Sequence, residues 1–508
     1  MTAPAPTRLL PAVPESEPVP TLASLGPPRL LAGLDEMPRL DRVAHLARHG
    51  TPPRMSAQEL VALAEDTDLR GRGGAGFPFA RKLTAVLDGT RRADGKCAVV
   101  VNGSEGEPSC LKDTALLLHV PHLVLDGALL AAEALGAQEV AIGVTRQDVE
   151  DSVRRAIAER GPVRPALRVT KLTERFVTGE GTALTNGLNG GPGLPSGRKV
   201  RSSERGLNGI PTLLSNTETY AQLALAARLG ALGYRTTGLP AEPGTLLLTV
   251  SGNRVVEVPY GIPLARVLAL CGTDPGQGVM LGGYHGTWLS PEDAATATLS
   301  RQALAEHGAV LGAGAVLPMP HDTCVAGETV RVARWMAGES AGQCGPCVLG
   351  LPALADALAH AVRGGGSAAL DVVRTRMRAV RGRGACSHPD GTARFVDSAL
   401  TAFPEEFERH AHGFGCGRPV TGALPVTGHL PPTPTAAPPP PPQERLLVDW
   451  TLCRGHGLCA DLVPGMVRLG PDGYPESANM PMPARMRRRA QLAVRRCPAL
   501  ALRIQGGN

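Results

Sequence analysis

The stretch Leu69-Arg-Gly-Arg-Gly-Gly-Ala-Gly-Phe-Pro78 sets four glycines between positions 71 and 76, and Gly71, Gly73 and Gly76 satisfy the spacing G-x-G-x-x-G. In a dinucleotide fold that spacing follows a strand and opens a helix, but here Ser56 to Glu65 ahead of it has helical apolar spacing. Alone, the motif reads evenly as a ligand-free tight loop or a phosphate cradle. Two more loops accompany it. Asn102-Gly-Ser-Glu-Gly-Glu-Pro108 ends the β-branched run from Cys97 to Val101, and Thr178-Gly-Glu-Gly-Thr-Ala183 follows Phe176-Val177. Glycines let backbone amides approach a phosphate or flavin closely, while Arg72 and Lys82 offer positive charge against phosphate.

Outward from these loops, helix and strand alternate. Leu123 to Leu135 and Val149 to Arg160 have helical spacing, whereas Glu139 to Val144 and Leu167 to Leu172 read as strands. The alternation predicts a Rossmann-like α/β domain with a parallel sheet over 35–241, preceded by a disordered arm over 1–34. After Ala241, short strands surround one helical segment, Pro263 to Leu270, which predicts a β-grasp domain over 242–317. Helical spacing returns over 322–415 in four segments broken near Gln343, Gly364 to Gly366 and Gly382 to Gly384, as in a four-helix bundle. Prolines, including the run Pro438 to Pro442, make 418–443 a semi-rigid linker ahead of a small α+β unit over 444–508.

Composition agrees with several modules. The 508 residues exceed one core, 43% are hydrophobic and 19% charged, and no run approaches the ~20 apolar residues of a membrane span. The N-terminal residues lack a basic start followed by an apolar run, so a cytoplasmic protein is expected. The net charge of +6 is dispersed and gives no reason to expect nucleic acid; its one concentration, Arg485 to Arg496, reads as a solvated helix or a docking face for an acidic partner. Eleven cysteines in a reducing compartment remain thiols, and the tight pairs Cys344 with Cys347 and Cys453 with Cys459 read as metal ligands. Cys97, Cys110 and Cys271 are isolated and read as packing residues.

Together with Lys112-Asp113 and Pro211-Thr-Leu-Leu-Ser-Asn-Thr-Glu-Thr219, the three loops resemble the flavin-mononucleotide loops of the NADH-oxidising subunit of respiratory complex I, over about residues 35 to 415. Soluble hydrogenases and formate dehydrogenases contain relatives. The resemblance implies FMN contacts from Gly71, Gly73, Lys82, Asn102, Glu105, Gly179, Glu180 and Asn216, with Arg72, Gly76 and Phe77 in the same pocket. Glu105, Glu107 and Glu180 would be the catalytic carboxylates that position nucleotide and flavin.

Glu339-Ser-Ala-Gly-Gln-Cys344-Gly-Pro-Cys347, with the distant Cys386, resembles the cluster segment of the same family and implies a [4Fe-4S] cluster. Ala341 stands where that family has its first cysteine, and Cys324 and Cys416 are the expected substitutes. A structural zinc site and loss of the metal are the alternatives. Asp449-Trp-Thr-Leu-Cys453-Arg-Gly-His456-Gly-Leu-Cys459 and Cys497-Pro498 resemble single-cluster bacterial ferredoxins. That likeness implies a [3Fe-4S] cluster on Cys453, Cys459 and Cys497, or [4Fe-4S] if His456 ligates.

The nucleotide pocket departs from the family. Lys199-Val-Arg-Ser202 replaces an aromatic segment that holds adenine, and Ala85 replaces a second stacking aromatic, leaving Phe77. Arg198, Lys199 and Arg201 would suit the extra phosphate of NADPH; a solvated basic loop is the alternative. The expected activity is therefore that of an NAD(P)H dehydrogenase, passing electrons through FMN and clusters to an electron-acceptor protein, soluble or membrane-associated. A non-enzymatic relay that has lost nucleotide binding is the alternative, and a degenerate scaffold ranks last.

Overall fold

The computed structural model describes residues 20–197, 200–427 and 444–506. Its first layer is a four-stranded parallel sheet in the order Ala166–Lys171, Glu139–Val144, Ala98–Gly103 and Thr212–Asn216. Val99, Val100 and Val101 are fully buried, as a strand covered on both faces requires. Helices Phe79–Arg92, Pro121–Leu135, Gln147–Arg160 and Thr217–Tyr234 connect and cover the strands. Ahead of them, Ser56 and Glu59 form a reciprocal capping box on helix Ala57–Asp66, so the glycine-rich loop runs from helix to helix, as its sequence indicated.

A six-stranded mixed sheet follows, ordered Thr21–Ser24, Arg254–Pro259, Thr245–Val250, Ala315–Pro318, Val279–Leu281 and Thr287–Leu289. Its first strand corrects the expected disordered arm. Thr21–Ser24 pairs in parallel with Arg254–Pro259, and the buried Glu257 carboxylate accepts the backbone N–H groups of Arg29, Leu30 and Leu31. Leu30 and Leu31 are buried, so order begins by residue 20, and residues 1–19 lie outside the described residues.

Beyond the sheet, helices Val325–Gly338, Leu351–Val362, Ser367–Val380, His388–Ala402 and Pro404–Ala411 pack around one apolar core. The fourth expected segment is two helices, because Pro404 has no N–H to continue the ladder and disfavours helical backbone at Phe403, which sits at φ −128°. The expected linker also begins too early at 418. Arg331 donates to the Leu424 carbonyl, Trp335 Nε1 donates to the Thr427 carbonyl at 2.8 Å, and Leu424 is fully buried, so 418–427 belongs to the bundle. The rest of the proline-rich stretch, 428–443, lies outside the described residues.

The final unit has a three-stranded antiparallel sheet, Asn479–Pro481, Arg445–Val448 and Leu502–Gln505, with helices Leu458–Leu462 and Arg487–Arg496. Among the described residues no single helix is long and apolar enough to cross a membrane.

Candidate flavin and cluster sites

The three glycine-rich loops converge where the parallel strands end, the usual ligand position of such sheets. The first loop closes on itself through Gly71 N–H to the Phe77 carbonyl at 2.9 Å, which leaves Phe77 half-exposed at its rim. A Cβ on Gly73 would lie 3.3 Å from Asn216 Cβ, so a side chain there would crowd the adjacent strand end. Asn102 Nδ2 donates to the Gly179 carbonyl at 2.9 Å, tying the second loop to the third. Gly106 is constrained more severely, because a Cβ would meet the Arg175 carbonyl at 2.4 Å.

Around this opening, several polar groups await a partner. The Ser104 and Ser215 hydroxyls are buried and unpaired among the described residues. Lys82 donates to the Leu214 carbonyl at 3.0 Å, and among the described residues no carboxylate pairs with its ammonium; burial pulls its pKa below the usual lysine range. A desolvated cation and two orphaned hydroxyls beside glycine-rich backbone fit the phosphate and polar edge of FMN.

Other expected contacts have different duties. Arg72 is turned inward against Tyr260, with its guanidinium 4.9 Å from the ring centroid and its Nε 3.9 Å from Glu218, so it is not free for phosphate. Asn216 caps helix Thr217–Tyr234 through Glu218 N–H at 3.0 Å and also bonds Lys112 and Asp113. The expected catalytic carboxylates are likewise anchors. Glu105 accepts the N–H groups of Asp113 and Thr114 at 3.1 and 2.9 Å, and Glu180 accepts those of Thr182 and Ala183, both at 2.9 Å. Each satisfies the free amides of a helix start, where a carboxylate also meets the positive end of the dipole.

Glu107 joins the two sheets. It accepts from Ser109 Oγ at 2.6 Å and from Tyr284 N–H at 2.7 Å, and burial pushes its pKa up to about 7. From the ordinary value of 4.5 up to about 7, the folded chain keeps a proton that the unfolded chain releases, so Glu107 lowers stability as pH rises through that window. Glu107→Gln is expected to flatten the dependence of Tm on pH there and to raise Tm at pH 8, while leaving nucleotide oxidation within about twofold because the contact geometry survives. Thermal melts from pH 5 to 8 check this.

An aromatic joint that the sequence did not reveal links the third loop to the bundle. Phe176 meets His285, Trp335 and His388 with ring centroids 4.8, 5.5 and 5.3 Å away, and its N–H donates to Glu339 at 2.9 Å. His285 is half-buried, and desolvation of its ring lowers its pKa to about 3. In a chain with 3% aromatic residues, a phenylalanine directly before a glycine loop was the available signal.

Cys344 and Cys347 are buried with sulfurs 3.6 Å apart, and Cys386 is brought to the same place by the loop after helix Ser367–Val380. Burial raises the Cys386 thiol to about 11, and Glu180 of the flavin loop is close enough to add to that rise. The third glycine-rich loop and this cysteine group are neighbours, since Phe176 bonds Glu339 and meets the ring of His388, two residues from Cys386. The expected substitutes for the thiolate missing at Ala341 are elsewhere. Cys324 starts the helix that ends at Gly338, about 20 Å of helix from Cys344, and lies with Cys416 instead.

In the final unit Cys453, Cys459 and Cys497 line one pocket with Gly455, His456 and Gly457. Ala501 N–H points at Cys497 Sγ at 3.4 Å, and the His456 side chain is exposed. Asp449 joins the two cysteine regions: its carbonyl accepts Cys453 N–H at 2.9 Å, while its carboxylate and Arg503 lie over Gly345, next to Cys344.

A glycine-loop pocket backed by two groups of cysteines defines a flavin and iron–sulfur electron-transfer protein. Residues 64–225 match the Nuo51 FMN-binding domain, 328–410 the NADH-ubiquinone oxidoreductase-F iron-sulfur binding region, and 446–504 a 4Fe-4S single cluster domain. The chain is 30% identical to the F subunit of NADH-quinone oxidoreductase from Streptomyces coelicolor over 385 residues, 71% of this chain and 85% of that protein. It is 28% identical to the mitochondrial NADH dehydrogenase [ubiquinone] flavoprotein 1 of Dictyostelium discoideum, over 67% of this chain and 76% of that protein. Its fold is similar to a chain of an NAD+-reducing [NiFe]-hydrogenase in the H2-reduced state, with a TM-score of 0.67, 26% identity, and coverage of 77% and 68% of the two chains. The chain belongs to the family of NADH-quinone oxidoreductase F subunits.

Proposed function

We propose that the chain oxidises a reduced nicotinamide nucleotide and delivers electrons one at a time, through the bundle site and then the C-terminal site, to a partner protein. The observation that carries this reading is the contact of Phe176, which leads into the third glycine-rich loop, with Glu339 and His388 beside the bundle cysteines, together with the approach of Asp449, the residue whose carbonyl holds Cys453, to Gly345 next to Cys344. Bound FMN supplies the chemistry that accepts a hydride and returns electrons singly. Lys82, Ser104 and Ser215 hold it, Gly71, Gly73, Gly76 and Gly179 give it room, and Glu105, Glu180 and Asn216 fix the loops. Phe176 and Glu339 keep those loops against the cysteine group.

The domain reading goes with it: an FMN-binding Rossmann-like domain, a β-grasp domain, an iron–sulfur bundle and a ferredoxin-like unit. Cys344, Cys347 and Cys386 hold the first cluster, [4Fe-4S] with an incomplete thiolate set, and Cys453, Cys459 and Cys497 the second, [3Fe-4S] or [4Fe-4S]. Exposed Arg485, Arg488, Arg489, Arg495 and Arg496 offer an acidic acceptor protein a docking face in the cytoplasm.

A relay without nucleotide binding is the second reading, favoured by the missing aromatic partners. The loop bearing Val200 to Ser202 packs near helix Phe79–Arg92, which carries Ala85, and the Ser203 carbonyl reaches Gly89 one turn further along. Arg201 is exposed there, while Arg198 and Lys199 lie outside the described residues. Steady-state assays with ferricyanide as acceptor decide between the readings: turnover with NADH or NADPH supports the dehydrogenase, and none with either supports the relay. Ala85→Phe is expected to lower the KM for the nucleotide by roughly threefold to tenfold, the equivalent of one restored stacking pair.

A further inference from the structure

At the end of the bundle away from Cys344, four metal-binding side chains from three segments meet. Cys324 caps helix Val325–Gly338, helix Pro404–Ala411 contributes Glu406 and His410 one turn apart, and Cys416 follows that helix. One ligand atom from each lies within 4.8 Å of all the others. We propose that Cys324, His410, Cys416 and Glu406 bind a single zinc ion.

The donor set is that of zinc. Two thiolates, an imidazole and a carboxylate suit a borderline tetrahedral cation, whereas iron–sulfur clusters prefer thiolates throughout. Bonds of about 2.3 Å to sulfur and 2.0 Å to nitrogen place such ligand atoms roughly 3.3 to 3.8 Å apart, and Cys324 Sγ is 3.4 Å from His410 Nε2. The wider pairs need to close by about 1 Å to reach that range.

The surroundings prepare each ligand. His410 Nδ1 lies 3.1 Å from the Val362 carbonyl; donating there leaves the Nε2 lone pair facing the two sulfurs, the support that metal-bound imidazoles commonly have. Cys324 Sγ accepts Gly327 N–H at 3.2 Å at the start of its helix, which fixes the sulfur where it faces His410. Arg418 contacts Glu406 and lies beside Cys416, so its charge offsets the third negative ligand, the one beyond the two that the ion itself neutralises.

The site also has a structural task. The segment it fixes runs on through Pro419, whose carbonyl accepts Cys324 N–H at 2.8 Å, and Gly422, whose N–H donates to Glu328 at 2.6 Å. Zinc would staple the root of the tether that leads to the C-terminal unit. Cys324 and Cys416 both lie outside the matched iron–sulfur region, residues 328–410.

The test uses the full-length chain, purified anaerobically and washed with EDTA. Elemental analysis is expected to find one zinc per chain in the wild type and in Cys344→Ala/Cys347→Ala, and none in Cys324→Ser/Cys416→Ser. Zinc-edge X-ray absorption of the wild type, which does not depend on any variant folding, should show two sulfur neighbours near 2.3 Å and two lighter ones near 2.0 Å, about as in other mixed-ligand zinc sites. Zinc absent from the wild type, a shell of sulfur alone, zinc that follows Cys344 and Cys347, or a Cys324–Cys416 disulfide in the anaerobic protein would each overturn the proposal.

Discussion

Lys112→Met is expected to destabilise the chain by about 3–5 kcal/mol and to yield protein without FMN, because it strands buried carboxylates. The Lys112 ammonium is almost wholly inaccessible and lies 2.8 Å from Asp113, 3.1 Å from Glu218 and 3.3 Å from Asn216. Asn216 and Glu218 begin the helix beneath the first glycine loop, and Asp113 begins the helix that Glu105 caps, so this one cation ties two of the three flavin loops together. Lys112→Met/Asp113→Asn should recover part of the loss, since the second change removes one unpaired charge. Denaturant unfolding and the flavin content of the purified variants measure both effects. A single variant with wild-type stability and full flavin would show that the network does not hold the site.

Cys386→Ser is the other large effect, and it separates two halves of the activity. Reduction of the flavin by nucleotide should continue at close to the wild-type rate, because Lys82 and the glycine loops are untouched. Electron delivery to a one-electron protein acceptor should fall by more than the roughly 10–100-fold that loss of a metal site's supporting hydrogen bond costs, since a ligand itself is removed. Stopped-flow bleaching of the flavin and steady-state acceptor reduction report the two halves separately. Equal loss in both would mean that Cys386 supports the flavin site rather than the exit from it.

How much of this was legible in the sequence depends on whether the determining contacts are local. Glu139–Val144 matches its expected bounds because a β-branched run between turn residues declares a strand, and Ser56 with Glu59 announces a helix start four residues at a time. Thr21–Ser24 was invisible for the opposite reason: a short edge strand whose partner lies beyond residue 250 carries no pattern of its own. Residues 418–427 look like linker by composition and are ordered only by the helix they meet. In the candidate site, the glycine loops and the cysteine pairs were readable from spacing. The roles of Glu105, Glu107 and Glu180 were not, since a carboxylate that caps a helix and one that meets a ligand occupy the same motif. Cys324, Glu406, His410 and Cys416 became a group only when Cys324 was brought against the distant stretch 406–416; Glu406 and His410, four apart on one helix, with Cys416 just beyond, were the local hint.

In the proposed function, electrons enter at the flavin as pairs and leave through the clusters singly. This is tested most directly by anaerobic titration of the cofactor-loaded chain with NADH and then NADPH, following flavin absorbance and the cluster signals by electron paramagnetic resonance. One of the nucleotides is expected to bleach the flavin, with the cluster signals changing in the same step. A flavin that bleaches only with dithionite, with clusters unmoved by either nucleotide, would contradict it.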